Sequence, residues 1–301
     1  MPLDGMGIDV GLLREQWTLP SDHLPIGITL TGNRPINIAS WNVLNTAYIK
    51  YAIADHSGLN QSTVTVKNNV ITMDGLTERD LHVLELITNQ MIAHERCPRD
   101  IIALQECGQA FVDHLKNNLP FHMVLIPAAE YELDQSVFIY NAERFNLLNT
   151  EVLYGLFTDR PNRTIMNILL QDKESNELYR CLTAHLPWIP DGPAAKQLAT
   201  YLKERLSKNS MEQETLVLMG DLNKTEKAIE RSFQDSGLNN FQQISPYSTF
   251  IPFLLDGTYT RSACVDHFFI FANNHIPVEV NTPDEVLNGL STLANKLQHP
   301  F

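Results

Sequence analysis

Short apolar runs bounded by turn-forming or polar residues recur along the chain, and each reads as a strand. They cover 26–30, 36–41, 100–105, 122–126, 136–140, 164–170, 179–184, 215–219 and 265–271. Between them apolar residues return every three or four positions, the period of a helix with one buried face. One helix is expected after Thr77, with Leu81, Leu84, Ile87 and Met91 on one side. A second opens near Pro193 and carries Ala195, Leu198, Leu202 and Leu206. A third follows Thr225 and stops near Gly237. A fourth starts at Thr282-Pro283-Asp284-Glu285, a capping box with proline at the first helical position, and carries Leu287, Leu290 and Leu297. The polar segment 55–74, with alternation through 63–67, reads as a surface insertion or hairpin. No repeat, low-complexity tract or linker interrupts the pattern, so one domain of mixed α and β is expected.

Composition narrows the picture. With 301 residues, 44% of them apolar, the chain can bury a sizeable core. Its formal net charge of -13 disfavours a broad basic face for nucleic acid. A small phosphorylated substrate or one short strand stays compatible. Cys97, Cys107, Cys181 and Cys264 show no two-residue pairing, which excludes a zinc knuckle or a thioredoxin motif. Reduced thiols in a cytoplasmic protein are expected. The first residues, with Asp4 and Asp9, form no Sec-type signal. No run approaches the roughly 20 apolar residues of a membrane span, so no stable membrane insertion is expected. The oligomeric state is not legible.

Chemistry enters at the strand ends, where one rim of a sheet collects polar groups. The run 36–41 ends in Asn42, 100–105 in Glu106 and 179–184 in His185; Leu218-Met219-Gly220 leads into Asp221-Leu222-Asn223. Asp266 and His267 precede Phe268-Phe269-Ile270-Phe271. Taken singly, each has a plain structural role. Asp221 and Asn223 suit a turn, Glu106 a helix cap, Asn42 an Asx-turn, and His185 a hydrogen-bonded core position. Asp266 inside an apolar strand is harder to assign to structure, because a buried carboxylate is costly unless paired.

Taken together and in this order, these residues resemble the endonuclease/exonuclease/phosphatase (deoxyribonuclease I-like) superfamily. The segments carrying the resemblance are Ser40-Trp41-Asn42-Val43-Leu44, Leu104-Gln105-Glu106, Thr183-Ala184-His185-Leu186, Gly220-Asp221-Leu222-Asn223 and Val265-Asp266-His267-Phe268-Phe269-Ile270. The resemblance implies a four-layer α/β sandwich, two mixed β-sheets packed face to face with helices outside. It implies a Mg²⁺- or Mn²⁺-dependent hydrolase of phosphate esters, with Glu106, Asn42 and Asp22 at the metal. By the same resemblance His23 is the general base, oriented by Asp266. Asp221 and Asn223 position water and phosphate, and His185 donates to a phosphoryl oxygen. His267 stands where the family often has tyrosine and reads as structural.

The motif Ser-Asp-His-X-Pro, which closes the superfamily's chains, stands here at the other end, as Ser21-Asp22-His23-Leu24-Pro25. An apolar run follows it directly. The resemblance therefore implies a circular permutation, with the usual last motif and strand at about 20–31. Residues 31–35 contain glycine, asparagine and proline and suit a tight hairpin connection.

Substrate identity is less legible. His185-Leu186-Pro187-Trp188 and Ser136-Val137-Phe138-Ile139-Tyr140 resemble the deadenylase branch, which points to nucleic acid or nucleotides. Arg160, Arg163, Lys196 and Arg261 are available to grip phosphate, though a solvated surface role suits each of them. An inositol-phosphate or phospholipid esterase is the alternative. A catalytically inactive binding module ranks lower, since Glu106, Asp221 and the base are all present.

Overall fold

Twelve strands and four helices form in the computed structural model, which describes residues 21, 23, 25–31, 34–48, 75–93, 98–128, 135–189, 192–208, 214–244, 265–272 and 276–280. The strands are β1 (Ile26–Leu30), β2 (Ile36–Asn42), β3 (Ile101–Cys107), β4 (Met123–Pro127), β5 (Gln135–Asn141), β6 (Phe145–Leu153), β7 (Ile165–Asp172), β8 (Leu178–Ala184), β9 (Glu214–Asp221), β10 (Gln242–Ile244), β11 (Asp266–Phe271) and β12 (Val278–Val280). The helices are α1 (Glu78–Glu85), α2 (Gln109–Asn118), α3 (Ala194–Lys208) and α4 (Glu226–Asp235).

The strands make two six-stranded mixed sheets, ordered β12-β1-β2-β3-β5-β4 and β10-β11-β9-β8-β7-β6. Only the central pair of each is parallel, β2 with β3 and β8 with β9. Central strands covered on both faces need unbroken apolar runs, and β3 is buried at every position. Ile28, Ile38, Phe138, Ile168, Met219 and Phe268 fill the space between the sheets. Val83 and Ile87, with Phe111 and Leu115 of α2, cover the outer face of the first sheet. Leu198 and Leu202 of α3 and Ile229 and Phe233 of α4 cover the second. The layers run helix, sheet, sheet, helix, the expected four-layer sandwich.

Each expected strand is present, but β6, β10 and β12 were not legible in the sequence. All three lie at sheet edges, where neither face is consistently covered and period-two alternation fades. Residues 146–150 of β6 are exposed. Helix α1 starts at Thr77 in a capping box with Asp80, as its sequence suits. It passes into a wider π-helical stretch, Leu86–Ile92. Within α1 Val83 and Leu84 are buried while Leu81 is 40% exposed, a correction to the expected face. The segment 55–74, the helix expected from Thr282, Cys97 and Cys264 lie outside the described residues. Cys107 and Cys181 are buried. No described helix is long and apolar enough to cross a membrane.

Strand β1 pairs antiparallel with β2 (Ile28 opposite Ile38) and, on its other side, with β12 (Ile28 opposite Val280). At the foot of the sandwich Arg144 donates to Asp172 and Asp100, both at 2.9 Å, and to the Pro35 carbonyl at 2.7 Å. Arg34 also donates to Asp172 at 2.9 Å. These bonds anchor the β1–β2 connection and leave the opposite rim to chemistry.

Candidate active site

The carboxyl ends of both parallel pairs lie at that opposite rim. Asn42 ends β2, Glu106 stands next to last in β3, His185 follows β8 and Asp221 ends β9. Two devices bring the two sheets' residues close. Gln105, fully buried between the sheets, donates to Ser40 Oγ at 3.2 Å and to Thr183 Oγ1 at 2.8 Å. Gly220 has φ 137°, and a Cβ there would collide with the Ala184 carbonyl. Glycine thus lets β9 approach β8 closely enough to set Asp221 beside His185.

The backbone around the site is unusual. Four described non-glycine residues have positive φ, and three of them, Leu44 (54°), Glu106 (59°) and Asn223 (48°), adjoin or belong to it. Left-handed backbone costs about 1–3 kcal/mol per residue and persists only where surrounding bonds enforce it. At Leu44 the enforcing group is buried Arg79, which donates to the Leu44 carbonyl at 2.6 Å and also to the Val43 carbonyl. At Glu106 the register of β3 against β5 shifts between Leu104 and Cys107, a bulge that turns the carboxylate into the rim. Asn223 N–H donates to Asp221 Oδ1 at 2.9 Å, and its side-chain amide to the Leu186 carbonyl at 2.8 Å.

Glu106, His185 and Asp221 form one cluster, with His185 Nε2 3.5 Å from both Glu106 Oε1 and Asp221 Oδ2. Asn42 Nδ2 donates to the same two oxygens, each at 3.0 Å. Its Oδ1 is occupied by the Leu44 N–H at 3.0 Å. Asn42 was expected to give an amide oxygen to a metal; here it instead turns its N–H groups to the carboxylates. The Asn45 N–H donates to Glu106 Oε2 at 3.3 Å, a contact with no signal in the sequence.

His23 adjoins this cluster. Its Nδ1–H donates to Asp266 Oδ2 at 2.9 Å, since an ionised carboxylate can only accept. Its Nε2 lies 3.6 Å from Asp221 Oδ2. Ser21 explains the position: its hydroxyl donates to the Asn42 carbonyl at 2.7 Å and accepts the His23 N–H at 3.1 Å. Trp41 Nε1 donates to the His23 carbonyl at 2.9 Å. Asp22 lies outside the described residues. The other expected site residues, His23, Asp266, His185, Asp221, Asn223, Glu106 and Asn42, come together.

Electrostatics differentiates them. Burial lifts the Asp221 carboxyl to about 6; Asp266 adds to the rise, while His23, the Asn42 amide and the Asn223 N–H oppose it. Burial, then the charges of Arg163 and His23, holds His185 well below its ordinary 6.5. Arg163 also donates to His185 Nδ1. A guanidinium has no acceptor, so the neutral imidazole carries its proton on Nε2, facing Glu106 and Asp221. The sequence offered Arg163 only as one of several cations; its position two residues before β7 was the available signal. His267 Nε2 donates to the Lys224 carbonyl at 2.9 Å and is held neutral by burial, in keeping with a structural role.

The donor set fits a hard divalent cation. Three buried carboxylates, Glu106, Asp221 and Asp266, gather at one rim with two imidazoles. Buried carboxylates need compensating positive charge, and oxygen donors without a thiolate suit Mg²⁺ or Mn²⁺.

Solved structures share the architecture. The chain is similar to the mannosyl-6-phosphatase of Bacteroides thetaiotaomicron VPI-5482, at 17% identity over 79% of this chain and 86% of that one, with TM-score 0.57. It is similar to the human Nocturnin catalytic domain with bound sulfate anion, at 16% identity over 84% and 89%, with TM-score 0.55. It is also similar to an endonuclease/exonuclease/phosphatase family protein from Bacteroides thetaiotaomicron, at 17% identity over 83% of each chain, with TM-score 0.54. No family model matches the sequence, and no curated protein matches it.

Proposed function

We propose that this chain, whose fold is that of the endonuclease/exonuclease/phosphatase superfamily, is a divalent-metal-dependent hydrolase of phosphate esters. The observation that carries the reading is the His23–Asp266 pair beside the Glu106–His185–Asp221 cluster. Within that class we favour a phosphodiesterase acting on single-stranded nucleic acid or nucleotides. A site fed by a chain of net charge -13 suits a short strand better than a long duplex. The alternative is a phosphatase or phosphodiesterase on inositol phosphates or phospholipid head groups.

Glu106 would hold the ion, with Asp22 as the second carboxylate that the resemblance supplies. Bound Mg²⁺ or Mn²⁺ neutralises phosphoryl charge and orients oxygen atoms. Asn42 and the Asn45 N–H fix the Glu106 carboxylate. His23, with its Nδ1 proton on Asp266, carries its acceptor lone pair on Nε2, the atom that takes the proton from water. Asp266 stabilises the imidazolium that results. Asp221, tied to Asn223, helps position water and phosphate. His185 donates its Nε2 proton towards a phosphoryl oxygen, and that bond strengthens as charge develops.

The permuted order belongs to the same proposal. The base motif and β1 precede the other motifs, and β1 pairs with both β2 and β12. We read them as the superfamily's closing elements moved to the front.

The test is a panel of single-stranded RNA, single-stranded DNA, duplex DNA and inositol phosphates, each with Mg²⁺, Mn²⁺ or EDTA. Metal-dependent cleavage of a single strand is expected. Full activity in EDTA, or turnover of none of these esters, overturns the reading.

A further inference from the structure

Trp188 is 67% exposed, although large aromatic side chains are ordinarily covered. It stands three residues after His185. Most other exposed large apolar residues, such as Leu147, Val124 and Val280, lie on edge strands. Three lie elsewhere: Leu81 on α1, Phe121, 90% exposed, just before β4, and Tyr154, 54% exposed, which follows the end of β6 and shares the rim, its hydroxyl donating to the Ala128 carbonyl beyond the end of β4.

The loop that carries Trp188 is held on both sides. The Leu186 N–H donates to the Asp221 carbonyl at 2.9 Å, and the Leu186 carbonyl accepts from the Asn223 amide at 2.8 Å. On the far side the Ile189 N–H donates to the Pro187 carbonyl at 3.0 Å, the Ile189 carbonyl accepts from Gly192 N–H at 3.1 Å, and buried Lys224 donates to it as well. An exposed indole on a pinned loop loses little entropy on binding, which is the property of a preorganised contact. The bonds that pin the loop run to Asp221, Asn223 and Lys224, so the backbone that carries Trp188 is fixed relative to the reacting groups.

We infer that Trp188 is a stacking platform for a nucleobase of the substrate, placed beside the phosphate-binding rim. This rests on the proposed phosphoesterase reading and deepens it. A strongly acidic chain gains little from long-range attraction to phosphates, so affinity has to come from the uncharged part of the ligand. Stacking of a base on an aromatic ring meets that need without a charge and tolerates any base, because each presents a π-face.

The test compares the dinucleotide ApA, glycerol phosphate and mannose 6-phosphate as substrates for the full chain and for Trp188→Ala, Trp188→Leu and Trp188→Phe. Trp188→Ala and Trp188→Leu are expected to lower the ratio of kcat/KM for ApA over glycerol phosphate about ten- to hundredfold, chiefly through KM. Trp188→Phe should keep most of the ratio, since a ring remains. AMP should quench the tryptophan fluorescence of the full chain but not of Trp188→Phe. An unchanged ratio in Trp188→Ala overturns the inference. So does a preference for mannose 6-phosphate over ApA that is lost in the same variant, since the platform would then serve a sugar face. If none of the three esters is hydrolysed, the phosphoesterase reading is decided by the nucleic-acid and inositol-phosphate panel above, and the stacking platform stands if AMP quenches and falls if it does not.

Discussion

His23 and Asp266 are 243 positions apart in sequence and 2.9 Å apart in space, and both are buried. The bond sets the tautomer that leaves Nε2 as the acceptor. Asp266→Asn is therefore expected to lower kcat about 10²- to 10⁴-fold with little change in KM, and His23→Ala to lower it at least as far. Steady-state kinetics on folded variants checks this. A fully active Asp266→Asn enzyme removes Asp266 as the orienting group, and a fully active His23→Ala enzyme removes His23 as the base.

Metal binding is measurable without turnover. Mg²⁺ or Mn²⁺ should raise the Tm of the wild-type chain, because a ligand of the native state stabilises it. Glu106→Gln should abolish that shift and most activity while keeping its circular dichroism. An equal shift in the variant would place the ion elsewhere.

Stability should depend on Asp221 in a defined direction. Its carboxyl rises from 3.8 unfolded to about 6 folded. The folded state thus binds the proton more tightly, and the stability this gives is present below about pH 4 and is lost as pH rises through 6. In metal-free protein, Asp221→Asn should stabilise by roughly 3 kcal/mol at pH 7 and by little at pH 4. Thermal melts across pH 4–8 read this directly; an unchanged difference between the two pH values refutes it.

Arg163 has a signature of its own. Its charge is one cause of the low pKa of His185. Arg163→Ala should raise the titration midpoint of His185, read by NMR, and lower kcat by roughly ten- to hundredfold through the lost charge-assisted bond. A midpoint that does not move would mean that burial alone sets it.

The proposed permutation predicts that connectivity is replaceable. A chain starting at Arg34, with residues 21–31 joined after Phe301 by a Gly/Ser linker, should keep wild-type kcat/KM within a few-fold. A folded but inactive rearranged chain would argue against the reading.

Why some of this was legible is a matter of physics. Strands 26–30 and 100–105 could be read because both are interior strands, and burial on two faces forces an apolar run. The polar residues ending such runs, Glu106 and Asp221, were legible as interruptions of that rule. Edge strand β6 imposes no such rule, so Asn146-Leu147-Leu148-Asn149 gave no signal. The orientation of the Asn42 amide depends on the Leu44 N–H, and that depends on a left-handed turn held by Arg79. No local pattern encodes a bond between residues that meet only after both sheets form. Arg163 and Trp188 were visible as residue types, but their positions at the rim follow from loop anchoring.

The two sheets repeat one plan. Each has a parallel pair at its centre, β2 with β3 and β8 with β9, followed outward on both sides by antiparallel neighbours. In chain order, β6-β7-β8-α3-β9-α4-β10-β11 of one half corresponds to β12, then β1-β2-α1-β3-α2-β4-β5 of the other. Asn42 and His185 are then positional counterparts, as are Glu106 and Asp221. Matching strand ends of the two sheets thus meet at one site.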